Sequence, residues 1–181
     1  MKEIGDDAKP KVAQLNRSDP SLDQTTLMEA ELDRLLQWIQ GAESRLAFVL
    51  TLSTAMLGFL AVLAPSASDW TLSAIIATSI AALLLVLSIL FVALASFPRT
   101  TGPKDSIIYF GTIASQKLEQ YGSTVGSLTP EQYQNDLIGQ CHRNATIAAR
   151  KYYWVQRSMV CLLLGSLPWA VSLFILYFER H

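Results

Sequence analysis

The sequence predicts an all-α membrane protein with three transmembrane helices and a cytosolic helical stalk that continues into spans one and three. Of its 181 residues, 51% are hydrophobic and only 16% are charged, whereas about a quarter of a soluble domain is charged. The apolar excess lies in three runs without charged residues, at 46–63, 72–97 and 159–178. Each run approaches or exceeds the about twenty residues that a helix needs to cross the hydrocarbon core. So short a chain has too little polar sequence to cover three such runs as buried core helices, and we expect them to span the bilayer.

Lysine and arginine residues predict the orientation of the spans. The turn 64–71 between the first two runs has one acidic and no basic residue, whereas 98–158 has seven basic and four acidic residues. Basic residues near spans are typical of cytosolic segments. We therefore expect the N-terminus and 98–158 in the cytosol, and the C-terminus outside.

The segment before the first run divides into a tail and a helix. Residues 1–26 mix charged residues, proline and serine without a hydrophobic period, which is typical of disorder. Residues 27–45 are predicted to form a cytosolic amphipathic helix, because apolar residues recur at alternating steps of four and three, as in a coiled coil. The residues of this seam are Met28, Leu32, Leu35, Ile39, Ala42 and Leu46.

The cytosolic region 98–158 is also predicted to be helical. A short helix is expected from about 105 to 120, followed by a loop at 122–127, which is rich in glycine, serine and threonine. Thr129, Pro130 and Gln132 then provide an N-cap, a first-turn proline and a capping box. The helix that begins there carries a second seam into the third span. Its residues are Cys141, Ala145, Ala148, Tyr152, Val155 and Met159.

Small residues within the spans predict close helix packing. They lie at helical spacing on two faces: Thr51, Thr54 and Gly58 on the first, and Ser73, Ala77 and Ala81 on the second. Such residues let helices approach closely in lipid. Packing within one subunit is the favoured reading and a subunit interface is the alternative. Three helices alone cannot enclose a water-filled path, so a pore would require several copies.

No pattern in the sequence predicts catalysis. The phosphate-binding loop, the H-E-x-x-H zinc motif and the G-x-S-x-G elbow are all absent. Cys141 and Cys161 are twenty residues apart on one predicted helix, about 30 Å, which is too far for a disulfide. The spans also lack the ionisable residues of an ion-driven transporter. We expect no enzyme activity, no cofactor, no metal and no nucleic-acid partner.

Three stretches resemble the Pycsar effector protein domain, a family of bacterial membrane effectors in cyclic-nucleotide-dependent anti-phage systems. They are 41–50 at the start of the first run, 109–114 after the second, and Gln140 with 147–152 before the third. The order of spans also matches, so the resemblance covers most of the chain from about Met28. Family members usually carry an acidic residue and a lysine at the beginning of the first stretch, where this chain has Glu43 and Arg45.

The resemblance implies that a partner cyclase makes a cyclic nucleotide during infection and that the effector then impairs the inner membrane and arrests the cell. A nucleotide site needs cations or N–H donors for the phosphate and an apolar or aromatic surface for the base. The candidate ligand residues of both kinds are Arg99, Lys104, Tyr109, Gly111, Arg143, Arg150, Lys151 and Tyr152. The basic residues are also explained by topology, and Tyr152 by the seam.

Two other classes of function remain open at this stage. One is a membrane scaffold or accessory subunit that acts through its coiled-coil stalk and senses no nucleotide. The other is a lipid-binding or constitutively open channel-like protein. In each case the lipid bilayer is a partner, and for the effector we also expect a homo-oligomer.

Overall fold

The computed structural model describes residues 20–66, 68–97, 102 and 106–179, with side chains described between 24 and 178. These residues form five α-helices and no strand. The helices are α1 (Pro20–Leu63), α2 (Leu72–Ser96), α3 (Phe110–Ser115), α4 (Leu118–Gly126) and α5 (Pro130–Glu179). Three of them, α1, α2 and α5, are long and apolar enough to cross a membrane, and they contain the three predicted runs. The predicted fold class is therefore confirmed.

The described residues group into two compact units. The spanning unit contains the described parts of Leu35–Thr101 and Arg143–His181, and the short-helix unit contains those of Met1–Arg34 and Gly102–His142. Helices α1 and α5 contribute to both units and have 44 and 50 residues. Since about twenty residues cross the hydrocarbon core, each of these helices contains a span and a long polar continuation, as predicted for the stalk.

Heptad spacing governs the core of the spanning unit. The buried residues of α1 continue the predicted seam into the first span and are Ala42, Leu46, Val49, Ser53, Met56 and Leu60. Those of α2 are Ala74, Ala81, Leu85, Ser88, Val92 and Ala95. Those of α5 are Ala148, Val155, Ser158, Leu162, Ser172 and Leu176. Steps of three, four and seven are typical of coiled coils and of many transmembrane bundles. The α1 seam thus packs inside the protomer.

Three buried serines join the long helices. Ser53 Oγ donates a hydrogen bond of 3.2 Å to Ser88 Oγ, and Ser88 Oγ donates one of 2.9 Å to the carbonyl oxygen of Ser158. The hydroxyl of Ser158 in turn donates to the carbonyl oxygen of Val155 at 2.8 Å. Each hydroxyl therefore has an acceptor, which matters because the bilayer core offers no water as a partner.

Close approach between α2 and α5 depends on Gly165. A Cβ atom at this position would lie 3.2 Å from the Cβ atom of Leu84. Further along α5, Trp169 Nε1 donates a hydrogen bond of 2.9 Å to the carbonyl oxygen of Met56 on α1. Pro168 lies inside α5, and the helix continues past it to Glu179. The proline lacks the backbone N–H that would otherwise donate to the carbonyl of Leu164. One turn further on, the hydroxyl of Ser172 donates to the Pro168 carbonyl at 2.7 Å.

Two packing predictions for the spans were wrong. The face with Thr51, Thr54 and Gly58 is exposed in the protomer, because the α1 core follows the heptad positions of Ser53 and Met56 instead. In the α5 seam, Met159 is 38% exposed and Ala145 is also exposed. At this level of α5, Ser158 is buried in place of Met159, and its backbone carbonyl accepts the hydrogen bond from Ser88 on α2.

The boundaries of the helical segments outside the apolar runs also differ from those predicted. Helix α1 begins at Pro20 rather than at 27, because proline is well suited to a first helical position; residues 1–19 of the predicted tail lie outside the described part. The predicted helix 105–120 is interrupted at Gln116, whose φ of −97° and ψ of 152° are extended. Residues 122–126 of the predicted loop belong to α4, where Ser123 and Thr124 donate their hydroxyls to the Gln120 carbonyl. Such internal bonds keep these polar residues compatible with a helix.

The predicted start of α5 is confirmed. The N–H of Gln132 donates to Thr129 Oγ1 at 3.3 Å, and the N–H of Thr129 donates to Gln132 Oε1 at 3.0 Å. These reciprocal bonds are a capping box, and they satisfy two donors that a helix start otherwise leaves unpaired.

Candidate functional site

Six of the eight predicted ligand residues are described by the structure, and they belong to two different compact units. Arg99 and Lys104 lie outside the described residues. Tyr109 and Gly111 belong to the short-helix unit. The remaining four belong to the spanning unit and are Arg143, Arg150, Lys151 and Tyr152.

In the short-helix unit, two glycines enclose the ring of Tyr109. A Cβ atom at Gly111 would lie 2.5 Å from Tyr109 Cε1, and one at Gly102 would overlap the same ring. The N–H of Tyr109 donates to Ser106 Oγ at 3.1 Å, and its ring centroid lies 4.7 Å from that of Phe110. Gly111 therefore has a structural role, since only glycine leaves room for the ring.

A polar network holds the loop before α3 against α5. Asp136 Oδ2 accepts hydrogen bonds from the N–H groups of Ile107 and Ile108, at 2.7 and 3.2 Å. Gln140 Nε2 donates to Ser106 Oγ at 2.8 Å, and both of these side chains are buried. The sequence analysis missed Asp136 and Ser106. Their roles depend on a contact between segments about thirty residues apart, which helical periodicity does not reveal.

Helices α1 and α5 also touch within the short-helix unit. The hydroxyl of Tyr133 donates to Glu29 Oε1 at 2.8 Å. This hydrogen bond to a carboxylate, followed by burial, raises the pKa of Tyr133 above its usual value. The Cys141 thiol lies 3.6 Å from the carbonyl oxygen of Met28, and burial followed by the charge of Glu31 raises the Cys141 pKa.

The same unit contains a cavity of about 160 Å³ to which the described residues contribute no charged side chain. Its lining residues are Ser106, Ile107, Thr112, Ile113, Gln116, Tyr121 and Thr124. Gln116 Oε1 is shielded from solvent and has no hydrogen-bond partner among the described residues. A phosphate would find hydroxyl donors here, and none of the described lining residues is a cation that would balance its charge.

The spanning unit contains a larger cavity, of about 240 Å³, beside the C-terminal end of α2. Its walls come from α1, α2 and α5, and the lining residues are Glu43, Leu94, Ala95, Ser96, Phe97, Ile147, Arg150, Lys151 and Trp154. Arg150 and Lys151 are the two predicted ligand residues that the structure brings into one cavity. Trp154 was missed, although it follows Arg150 by four residues, the spacing of neighbours on one helix face.

The two cations of this cavity have different surroundings. Lys151 Nζ lies 2.9 Å from Glu43 Oε1, and the side chain of Lys151 is 16% exposed. Arg150 is exposed and has no hydrogen-bond or ion-pair partner among the described residues. The cavity therefore presents one unpaired guanidinium group and one ammonium group that already holds a carboxylate.

Neither Arg143 nor Tyr152 lines this cavity. The ring of Tyr152 packs against α1, with the guanidinium carbon of Arg45 5.5 Å from its centroid. A Cβ atom at Gly41 would lie 3.7 Å from the Tyr152 hydroxyl oxygen. Two conspicuous residues of the resembling stretches, Arg45 and Tyr152, thus form a contact between α1 and α5.

The family model of the Pycsar effector protein domain matches residues 27–177. The Pycsar effector protein PtPycTM of Propioniciclava tarda is 27% identical over 156 residues, which cover 81% of this chain and 75% of that protein. No solved structure matches. Because the family match includes all three candidate spans, the α3–α4 segment and the lining of both cavities, this chain belongs to the Pycsar effector protein domain family.

Proposed function

We propose that this protein is a membrane effector of a bacterial anti-phage system, which responds to a cyclic nucleotide by impairing inner-membrane integrity and arresting the infected cell. Membership of the Pycsar effector family over residues 27–177 is the observation that carries this proposal. The three helices that are able to span a bilayer supply the means of acting on a membrane.

The helices suggest how the signal reaches the membrane. A ligand shifts an equilibrium only if it binds one arrangement more tightly than another. Helices α1 and α5 each contain both polar segments and a span. A ligand that changes the packing of their polar segments would therefore also move the spans, because each helix is a continuous element.

We assign the phosphate of the nucleotide to Arg150 and Lys151, which share a cavity next to Trp154. Tyr109 and Gly111 remain candidates in the short-helix unit, next to a cavity lined by hydroxyl groups. Tyr152 is the weakest candidate of the described set, because its ring packs between α1 and α5 beside Arg45.

We further propose that the active form is a homo-oligomer in the inner membrane. The described core between the long helices is packed with leucine, valine, alanine, methionine and serine side chains, so we place any water-filled path between protomers rather than within one. Small residues that pack closely in lipid remain exposed at Thr51, Thr54 and Gly58. Light scattering on the detergent-solubilised protein tests this part, and the mass of a single subunit in both the absence and the presence of ligand would contradict it.

The scaffold alternative loses support from the packing of the stalk. Its seam residues Leu35, Ala42 and Leu46 are buried inside the protomer. A partner coiled coil would have to displace this packing before it could use the same seam.

Co-expression with the partner cyclase tests the proposed function. We expect growth arrest and dye uptake with an active cyclase and neither with a catalytically inactive cyclase. Charge reversal of Arg150 and Lys151 together should abolish the response while membrane insertion stays normal. The matched control reverses Arg34 and Lys117, two exposed cations whose replacement changes the net charge equally. An inserted parent protein that causes no arrest with active cyclase would overturn the function.

A further inference from the structure

The cavity at the C-terminal end of α2 contains its own anion. Glu43 on α1 contributes a carboxylate that lies 2.9 Å from Lys151 Nζ on α5. Glu43 is 58% exposed at its side chain, whereas Lys151 is 16% exposed. The carboxylate can therefore swing into solvent, while the ammonium group must remain at the cavity wall.

We propose that this cavity binds a phosphate group, and that Glu43 is a resident counter-anion which the phosphate displaces from Lys151. Arg150 makes the first contact, since its guanidinium has no partner among the described residues. Lys151 follows once Glu43 leaves. The inference rests on the proposed function in so far as the phosphate belongs to a cyclic nucleotide; an anionic lipid headgroup offers the same chemistry at a membrane surface.

Electrostatics explain why both cations are needed. The C-terminal end of a helix carries partial negative charge on its last carbonyl groups, and residues 94–97 at the end of α2 form one wall of the cavity. An incoming phosphate meets these carbonyls and the charge of Glu43 as well. Arg150 alone would be opposed by both, so release of Lys151 from Glu43 decides whether binding is favourable.

The remaining walls determine what the phosphate can be attached to. Leu94, Phe97 and Ile147 are apolar, and they lower the local dielectric constant around the two cations. The indole of Trp154 is fixed by stacking on Phe91, with centroids 5.6 Å apart. The cavity volume of about 240 Å³ leaves room for a phosphate with a small ring or a glycerol unit attached.

Displacement of Glu43 would also alter the link between two helices. The Glu43–Lys151 pair joins α1 to α5 close to where the first apolar run begins at Leu46. Ligand binding would exchange this interhelical contact for one between the phosphate and α5. The site would thereby couple occupancy to the packing of the two helices that carry spans one and three.

Binding measurements on single variants test the inference. Calorimetry of the purified protein in uncharged detergent measures its affinity for a panel of cyclic mononucleotides. Native mass spectrometry of the protein in nanodiscs with and without phosphatidylglycerol measures whether it binds the anionic lipid. Arg150→Gln should weaken binding by about tenfold or more, as for loss of a charge-assisted hydrogen bond. Glu43→Gln should strengthen it about two- to fivefold, since it removes an exposed competing ion pair.

The Glu31–Arg34 pair is the matched control, because it is an exposed ion pair of 2.6 Å that lies entirely on α1. Glu31→Gln and Arg34→Gln should leave binding unchanged, and melting curves of all variants show whether each is folded. The opposite effects of Glu43→Gln and Arg150→Gln separate a phosphate site from general loss of structure.

Each outcome decides between the two proposals. Nucleotide binding with the expected changes supports both. Lipid binding with those changes, and no response to nucleotide, supports the phosphate site and removes the proposed function. If a nucleotide binds, and both variants bind it as tightly as the parent protein does, the proposed function stands and the phosphate site is overturned. If Arg150→Gln weakens the binding of neither the nucleotides nor the anionic lipid, the inference is overturned.

Discussion

The hydroxyl group of Ser88 donates a hydrogen bond of 2.9 Å to the carbonyl oxygen of Ser158, and both residues are fully buried. Ser88 also accepts from Ser53, so one side chain on α2 contacts α1 and α5. Ser88→Ala should destabilise the helix packing by about 0.6–1.7 kcal/mol, the range of interhelical hydrogen bonds in lipid. Thermal unfolding in detergent measures this effect. Ser79→Ala, at an exposed site on the same helix, is the control, and equal stability of the two variants would contradict the role of Ser88.

Gly165 and Gly58 provide a paired test of packing in the spans. Gly165→Leu should be destabilised by about 1–3 kcal/mol through overpacking, because a Cβ atom there already lies 3.2 Å from Leu84 Cβ. Gly58→Leu should leave the packing within the protomer unchanged, since no neighbouring atom lies within 4 Å of its Cβ position; any weakening of self-association at this exposed face is measured separately, as the mass in solution. Melting temperatures in detergent compare the two variants. If Gly165→Leu is as stable as Gly58→Leu, α2 and α5 do not pack at this glycine.

Gly111 and Gly122 form a second pair, in the short-helix unit. Gly111→Ala should destabilise the packing around Tyr109 by about 1–3 kcal/mol, because its Cβ would lie 2.5 Å from the ring. Gly122→Ala should be neutral or slightly stabilising, since its Cβ would meet no atom within 4 Å and alanine favours a helix. Limited proteolysis reports on this unit separately from the spans. Equal cleavage rates would show that the ring is not confined by Gly111.

The pH dependence of Cys141 follows from its environment. Burial and then the charge of Glu31 raise the pKa of its thiol, so the thiolate, which is the reactive form, appears at higher pH than in an unfolded chain. In the Cys161→Ser protein, the rate of alkylation of Cys141 by iodoacetamide should begin to rise at a higher pH when the protein is folded than when it is unfolded. Because the folded pKa is raised, the group stabilises the fold below its unfolded pKa and loses this contribution as pH rises. Coincident folded and unfolded profiles would contradict the assigned burial.

The orientation predicted from the basic residues is open to a reporter experiment. A reporter that works only in the cytosol should be inactive when fused after His181, because an odd number of spans places the two ends on opposite sides. The same reporter inserted at Gly122, within the segment 98–158, should be active. The reverse pattern would show inverted insertion, and activity at both positions would mean that the third apolar run does not span.

The extent of the spans was predictable because lipid imposes a simple requirement. A run such as 72–97 must be uncharged and long enough to cross the hydrocarbon core, and both properties are visible in composition alone. The start of α5 was equally predictable from local sequence, because the side chains of Thr129 and Gln132 each accept a hydrogen bond from the other residue's backbone N–H within one turn. Arg150 and Lys151 were chosen as candidate ligand residues from their charge and their place before the third run; the structure puts both at one cavity, and their role as ligands stays a prediction.

Other features depended on which faces of the helices pack together, and local sequence patterns do not reveal this. Ser53, Ser88 and Ser158 carry no apolar signal, yet they are buried because each hydroxyl finds an acceptor on another helix or one turn away. The α4 helix was missed because the glycine and serine content of 122–127 favours a loop, until the hydroxyls bond back to the Gln120 carbonyl.

By itself, the sequence determined the fold class, the three spans and the heptad phase of α1, because hydrophobic length and period are properties of single helices. Tertiary structure alone decided that Glu43 reaches Lys151 at 2.9 Å while Arg150 stays unpaired among the described residues. It also decided that Trp154 completes their cavity and that the Tyr109 ring lies between two glycines. The reason for the Glu43–Lys151 pair is physical: the two residues lie on different helices, more than a hundred residues apart in the chain, and packing that no local pattern encodes brings them together.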